Sequence, residues 1–321
     1  MASFSTFNTI TNQKGKGAKK VAPYTYKNAT LEISGNEHRL IYSTVGTFTS
    51  CLTVSADMSV NILIVSGGGG GGASSIGGGG GGGGNVILYE SARNTRCNIS
   101  SGTTLNVTVG AGGAGGQWQN SIRASNGNPS SITVSSGSIK NSNGTAPLLV
   151  ASINGLTATS YNVWYGGAGG GGGGTSLRTN SSATLPFSGA SGGTNSDGSK
   201  AGGSGGGVTG TTGTRIWSRS TGGGGGGIDG QNASSTNGIQ SSNIDPFPIA
   251  VYTFSGGLGT LCNFNNKIYG TGGSGIYYNA VTANGGGNGI SNTGNGGDGG
   301  VNVNGGRGGS GVVIICLIVP S

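Results

Sequence analysis

The chain has 321 residues, 76 of them glycine and 7 proline; 7% are charged, 32% are hydrophobic and the net charge is +8. Proline is scarce and no Gly-X-Y repeat runs through the chain, which excludes collagen; the low charge excludes the highly charged, expanded kind of disordered chain. With so few large side chains a conventional core can only be small, and backbone pairing between glycine segments, with an oligomer interface, is expected to supply the rest of the stability.

Residues 1–28 read as a basic N-terminal arm. Lys14, Lys16, Lys19, Lys20 and Lys27 fall within it and no acid does. Such an arm suits nucleic acid or an acidic partner surface, and equally a solvated tail or a segment docked on a neighbouring subunit. Residues 1–11 are polar and aromatic with no apolar core of a signal peptide, and no apolar stretch reaches the roughly 20 residues that span a bilayer. The expectation is a protein made in a cytoplasm that reaches the outside, if it does, by assembly into a particle.

Residues 29–66 read as a β anchor. Thr30-Leu31-Glu32-Ile33-Ser34, a turn at Gly35-Asn36, and the segments 39–43, 46–49, 51–54 and 60–65 follow at short spacing with alternating polarity. That pattern predicts antiparallel hairpins forming a small β-sandwich.

Residues 67–311 hold the glycine runs, at 67–72, 77–84, 110–116, 166–174, 202–207, 222–227, 270–275, 285–289, 294–300 and 305–311. A glycine run can be a flexible coil. It can also adopt the extended left-handed helix with three residues per turn and about 3.1 Å of rise. That helix has no internal hydrogen bonds, so its N–H and C=O groups must find partners on neighbouring helices, which only side-chain-free backbones can approach closely enough. Apolar β-branched segments enter or leave many runs, as at 60–65, 85–89, 105–109 and 311–319. A linker needs no such strands, so the ordered form is expected. Residues 312–321 read as a closing strand and tail. The fold class is therefore mainly β, an antiparallel sandwich continuing into packed polyglycine II helices, with little or no α-helix.

Catalytic chemistry is poorly supplied. His38 is the only histidine, in a setting that reads as a strand-end surface position, and the acids are scattered without a carboxylate pair or metal-ligand spacing. Gly-x-Gly-x-x-Gly matches arise by chance in this composition, and no Gly-Lys-Ser/Thr occurs. No enzyme activity, cofactor or metal is expected. Cys51, Cys97, Cys262 and Cys316 lack zinc-type spacing; two distant disulfides or free buried thiols are open, and the cytoplasmic reading favours thiols. The polar insertions between runs carry aromatic residues, among them Trp118, Trp164, Trp217, Tyr277 and Tyr278. These are candidate platforms for sugars or surface proteins, or else caps that cover the edges of glycine layers.

Several segments occur in a telling order: Gly46-Thr47-Phe48-Thr49, the apolar strand entering the run at 62–72, Val107-Thr108-Val109-Gly110-Ala111-Gly112-Gly113, Asn292-Thr293-Gly294-Asn295-Gly296-Gly297, and Gly308-Gly309-Ser310-Gly311-Val312-Val313-Ile314-Ile315. Together, over about residues 29–316, they resemble the glycine-rich domain of phage tail-fibre and virion proteins. Members usually close on a short Arg-Tyr, where this chain has Cys316-Leu317-Ile318-Val319-Pro320-Ser321, and the lysine-rich arm is additional. The resemblance implies a non-enzymatic virion protein that attaches to a host surface receptor, glycan or protein, through loops between glycine helices. It implies partners that are further copies of the chain or other virion proteins. A capsid or filament scaffold is the alternative, and an ice-binding protein a third, disfavoured by insertions of irregular length.

Overall fold

In the computed structural model the chain is described over residues 22–74, 77–119, 122–153, 155, 169, 171, 173–174, 176–177, 190–205, 208–209, 219–220, 222–233, 236–237, 251–278 and 284–320. Strands β1 (Tyr24–Tyr26), β2 (Thr30–Ser34), β3 (Glu37–Tyr42), β4 (Gly46–Val54) and β5 (Met58–Val65) precede the first glycine runs. Then come β6 (Val86–Tyr89), β7 (Cys97–Ile99), β8 (Thr104–Val109), β9 (Ser130–Ser136), β10 (Ile139–Lys140) and β11 (Val150–Ala151). A hairpin of β12 (Thr260–Cys262) and β13 (Lys267–Tyr269) follows, and β14 (Val312–Ile318) closes the sandwich. The helix content of the described residues is one 3-10 turn, Ser91–Arg93.

Two antiparallel sheets face each other. One has the order β1-β4-β8-β9-β11; the other runs β10-β7-β5-β14-β3-β2, with β6 taking over from β7 along the same side of β5. In β8 the alternation is strict: Leu105, Val107 and Val109 are buried, while Thr104, Asn106 and Thr108 face outward. Thr104 and Thr108 meet Thr53 and Thr47 on β4, and Asn106 Oδ1 accepts the Ser50 N–H at 2.7 Å. Ser50 lies at φ +43 where the β4–β8 register slips, a bulge held by the Asn106 side chain.

β14, and β5 from Ile62 to Val65, are apolar throughout because both faces are covered. Val60, Ile62, Ile64, Val313, Ile315 and Leu317 join Leu52, Leu105 and Val107 in the space between the sheets. On the other face Leu63, Val65, Val312 and Ile314 pack with Cys262 and Tyr269 of the β12–β13 hairpin. Each such fully buried aliphatic chain contributes about 1.5–3 kcal/mol of transfer free energy.

The strand registers run on into the glycine runs without a break. Val65 pairs with Val86 in the β5–β6 ladder, and beyond it Ser66 N–H bonds Asn85 O at 2.9 Å, Gly69 bonds Gly82 and Gly72 bonds Gly79, both at 2.8 Å. Val65 also pairs with Val312 of β14, and Gly68 then bonds Gly309 at 3.0 Å and Gly71 bonds Gly306 at 2.8 Å. The β8–β9 pair continues likewise, Asn128 N–H to Ala111 O and Ser125 N–H to Ala114 O. What changes is the period, from two to three, which is the repeat of the polyglycine helix. The gap between the sheets also closes. Gly113 and Gly116, beyond β8 of one sheet, donate to Gly68 and Gly71 beyond β5 of the other, at 2.8 and 2.9 Å.

Two features differ from the sequence reading. The sandwich is not confined to residues 29–66: β1 begins within the 1–28 segment, and β6 to β11 return to the sheets from inside the 67–311 segment, since the long side of β5 needs backbone partners. Between β7 and β8 the chain turns at Ser101-Gly102, where Gly102 has φ +77. His38 does lie near the start of β3, as expected, but it is not on the surface. It lies half-buried in β3, its Nδ1 2.5 Å from the Tyr24 hydroxyl of the facing sheet.

Candidate functional site

The glycine bundle sorts its residues by position in the triplet. Runs 67–72, 77–84 and 222–227 are pure glycine, and every residue in them is buried. A threefold helix presents three faces, and here each face meets another backbone. Gly70 donates to Ser125 O, and a Cβ built on it would fall within 3.0 Å of the Ala114 carbonyl; Gly71 donates to Gly306 O, and its Cβ would strike the Asp298 carbonyl. Gly69 and Gly72 bond the third neighbour. Outer helices have one face free, and there the sequence reads Ala111-Gly-Gly-Ala114, Asn295-Gly-Gly-Asp298 and Asn304-Gly-Gly-Arg307-Gly-Gly-Ser310. The non-glycine member of each triplet is half-buried or exposed.

Side chains on these outer positions close the bundle's edge. Asn295 Oδ1 accepts the Thr271 N–H at 3.1 Å, and one triplet on Asp298 Oδ1 accepts the Ser274 N–H at 2.7 Å. Ser125 Oγ does the same for Ala114 N–H at 2.7 Å, Asn288 Oδ1 for Arg307 N–H at 2.8 Å, and Asn232 Oδ1 for Ser204 N–H at 2.8 Å. Buried backbone donors without such partners would each cost about 1–3 kcal/mol. Burial lifts the Asp298 carboxyl above its ordinary pKa, partly countered by the Ser274 bonds.

The aromatic candidates are dispersed. Trp118 is half-buried at the turn after the 110–116 helix, where Gln117 and Ile122 form a bridge. The backbones of Tyr277 and Tyr278 lie in the strand Gly275–Tyr278, paired with Val251–Phe254, and Tyr277 also pairs with Gly77. Trp164 and Trp217 lie outside the described residues, as do Lys14, Lys16, Lys19 and Lys20. Lys27 is half-buried, its N–H bonded to Cys51 O at 2.9 Å, so it belongs to the sandwich.

The profile of the glycine-rich domain family matches residues 43–317, most of the chain. The chain belongs to that family. No curated protein matches it in sequence.

Sequence reasoning missed one polar cluster of this glycine-rich domain. Glu90, 1% exposed, receives Asn263 N–H at 2.9 Å, Asn263 Nδ2 at 2.5 Å and Arg93 Nε at 3.1 Å. Arg93 extends to the Asp229 carboxylate and to Leu261 O. The cluster pins the β12–β13 hairpin and the turn at Asp229 to the end of β6. Nothing in the spacing of Glu90, Asp229 and Asn263 could have announced it, because the hairpin that joins them is remote in sequence. The four cysteines are free and buried. Burial pushes the Cys97 and Cys262 thiols up to about 12 and the Cys316 thiol to about 11, so they are poor nucleophiles near neutral pH.

Proposed function

We propose that this glycine-rich domain is a non-enzymatic structural protein of a virion surface, which attaches to a host through the insertions between its glycine helices. The observation that carries the reading is the unbroken register from sandwich to bundle. Glycine is the residue most costly to order, and a chain that orders this much of it gains a stiff mount from which insertions of arbitrary sequence can project. Rigid mounts with variable loops are a common way to build recognition surfaces. The aromatic residues Trp118, Trp164, Trp217, Tyr277 and Tyr278 are the anchors this reading assigns to contact with a sugar or surface protein.

A scaffold role in a capsid or filament is the second reading. It is favoured by β2, which pairs with β3 on one side only among the described residues and leaves Ile33 51% exposed, an edge a further copy could extend. The experiment is to purify the chain, follow its assembly by size exclusion and electron microscopy, and add the fluorescently labelled discrete fraction to a panel of intact bacterial strains. Discrete particles that stain particular strains support attachment. Filaments or lattices without staining refute attachment and leave the scaffold.

A further inference from the structure

A groove of about 430 Å3 opens beside the β7–β10 edge, at the end of the sandwich where β5 begins. That volume lies within the roughly 300–1,000 Å3 of small-ligand sites. Met58 and Ile99, register partners that are 5% and 1% exposed and belong to the core between the sheets, are among its lining residues. Its polar groups are held from one side and open on the other. Asp57 Oδ1 accepts the Ser101 N–H at 2.7 Å, which fixes the carboxylate and leaves Oδ2 as an acceptor without a partner among the described residues. Asn98 Oδ1 accepts the Ser59 hydroxyl at 3.1 Å, which fixes the amide and leaves Nδ2 as a donor. Lys140 stands directly across from Asn98 in the β7–β10 pair and has no ion-pair partner among the described residues. Ser100 and Ser138 stiffen the wall through reciprocal bonds, each of 3.0 Å.

The geometry points to a binding site for one unit of a neutral saccharide, separate from the insertions of the glycine bundle. One carboxylate acceptor, one amide donor and one ammonium donor in a groove this small match vicinal hydroxyls, each of which both donates and accepts. The charges of Asp57 and Lys140 cancel, so an anion meets Asp57 and a cation meets Lys140, and neither gains a net field. An apolar ligand would leave all three groups desolvated and unpaired.

The test uses the 15N-labelled full chain, titrated at millimolar concentration with methyl α-glucoside, methyl β-galactoside, N-acetylglucosamine and maltose. At least one of the four is expected to shift the Asn98 side-chain amide saturably, together with the Lys140 backbone amide. Asp57→Asn and Asn98→Asp are isosteric and keep the bonds to Ser101 and Ser59, so amides remote from the groove should not move. Each variant is expected to weaken binding about ten-fold or more. No shift at Asn98 with any of the four sugars overturns the proposal, and so does binding that both variants leave unchanged. Staining of cells by the wild-type chain bears on the insertions and not on this groove, so the two readings fail separately.

Discussion

Gly70→Ala tests the bundle directly. The new Cβ would lie within 3.0 Å of the carbonyl oxygen and carbon of Ala114 and of the Gly115 nitrogen, all of them backbone atoms that cannot swing aside. Restoring van der Waals contact requires the 67–72 and 110–116 helices to part by roughly 1 Å. Two hydrogen bonds tie that pair, Gly113 N–H to Gly68 O at 2.8 Å and Gly116 N–H to Gly71 O at 2.9 Å. Losing both at about 1–3 kcal/mol each, less about 0.4–1 kcal/mol for the stiffer unfolded chain, leaves a destabilisation of about 1–5.5 kcal/mol. That is a large part of a typical total of about 5–15 kcal/mol. The control is Ala114→Ser on the same helix pair, whose side chain points to solvent and whose effect should stay within about 0.5 kcal/mol. Denaturant unfolding followed by far-UV circular dichroism measures both. An unfolding midpoint for Gly70→Ala equal to that of Ala114→Ser would refute the close packing argued here.

Other positions give sharp expectations. In Asp298→Asn the amide oxygen still accepts the Ser274 N–H, but the half-buried charge is gone. Since the folded carboxyl pKa is raised, its contribution is present below the unfolded value and lost as pH rises through the folded one. The variant should therefore melt higher than wild type at neutral pH, with the gap narrowing toward about pH 4; a gap independent of pH counts against it. Glu90→Ala removes the acceptor of Arg93 Nε and of the Asn263 N–H and amide, while Arg93 keeps the Asp229 carboxylate, and should cost about 1–3 kcal/mol, with hydrogen exchange in residues 260–269 accelerating first; unchanged exchange there would dissociate Glu90 from the hairpin. The thiols of Cys97, Cys262 and Cys316 should react with a disulfide reagent at pH 8 only as fast as the domain opens, and rapid stoichiometric labelling of the native chain would contradict their burial.

Much of the sandwich was legible because its signals are local. The alternation in 30–34 and 46–54 and the apolar runs at 60–65 and 312–318 sit where the strands are. The ordering of the glycine runs was also readable, from the β-branched segments that feed them. The triplet grammar was not read, because a Gly-X-Y repeat was sought along the whole chain, whereas Asn295-Gly-Gly-Asp298 and Asn304-Gly-Gly-Arg307 use it only in outer helices. The inner runs erase it, since three buried faces leave no position for a side chain. The hairpin over β5 and β14, the Glu90 cluster and the Asp57 groove depend on contacts between remote segments, and no local pattern encodes them.

The change of period at Ser66 gives the chain something like a reading frame. Within a strand, one inserted residue exchanges inside for outside. Within the helix that starts at Gly67, an inserted residue turns everything downstream by a third of a revolution, so a side chain meant for solvent is carried into a neighbouring backbone. Only additions in threes keep the phase. Between runs there is no phase to keep, and segments of any length can be added or exchanged without disturbing the bundle beneath them.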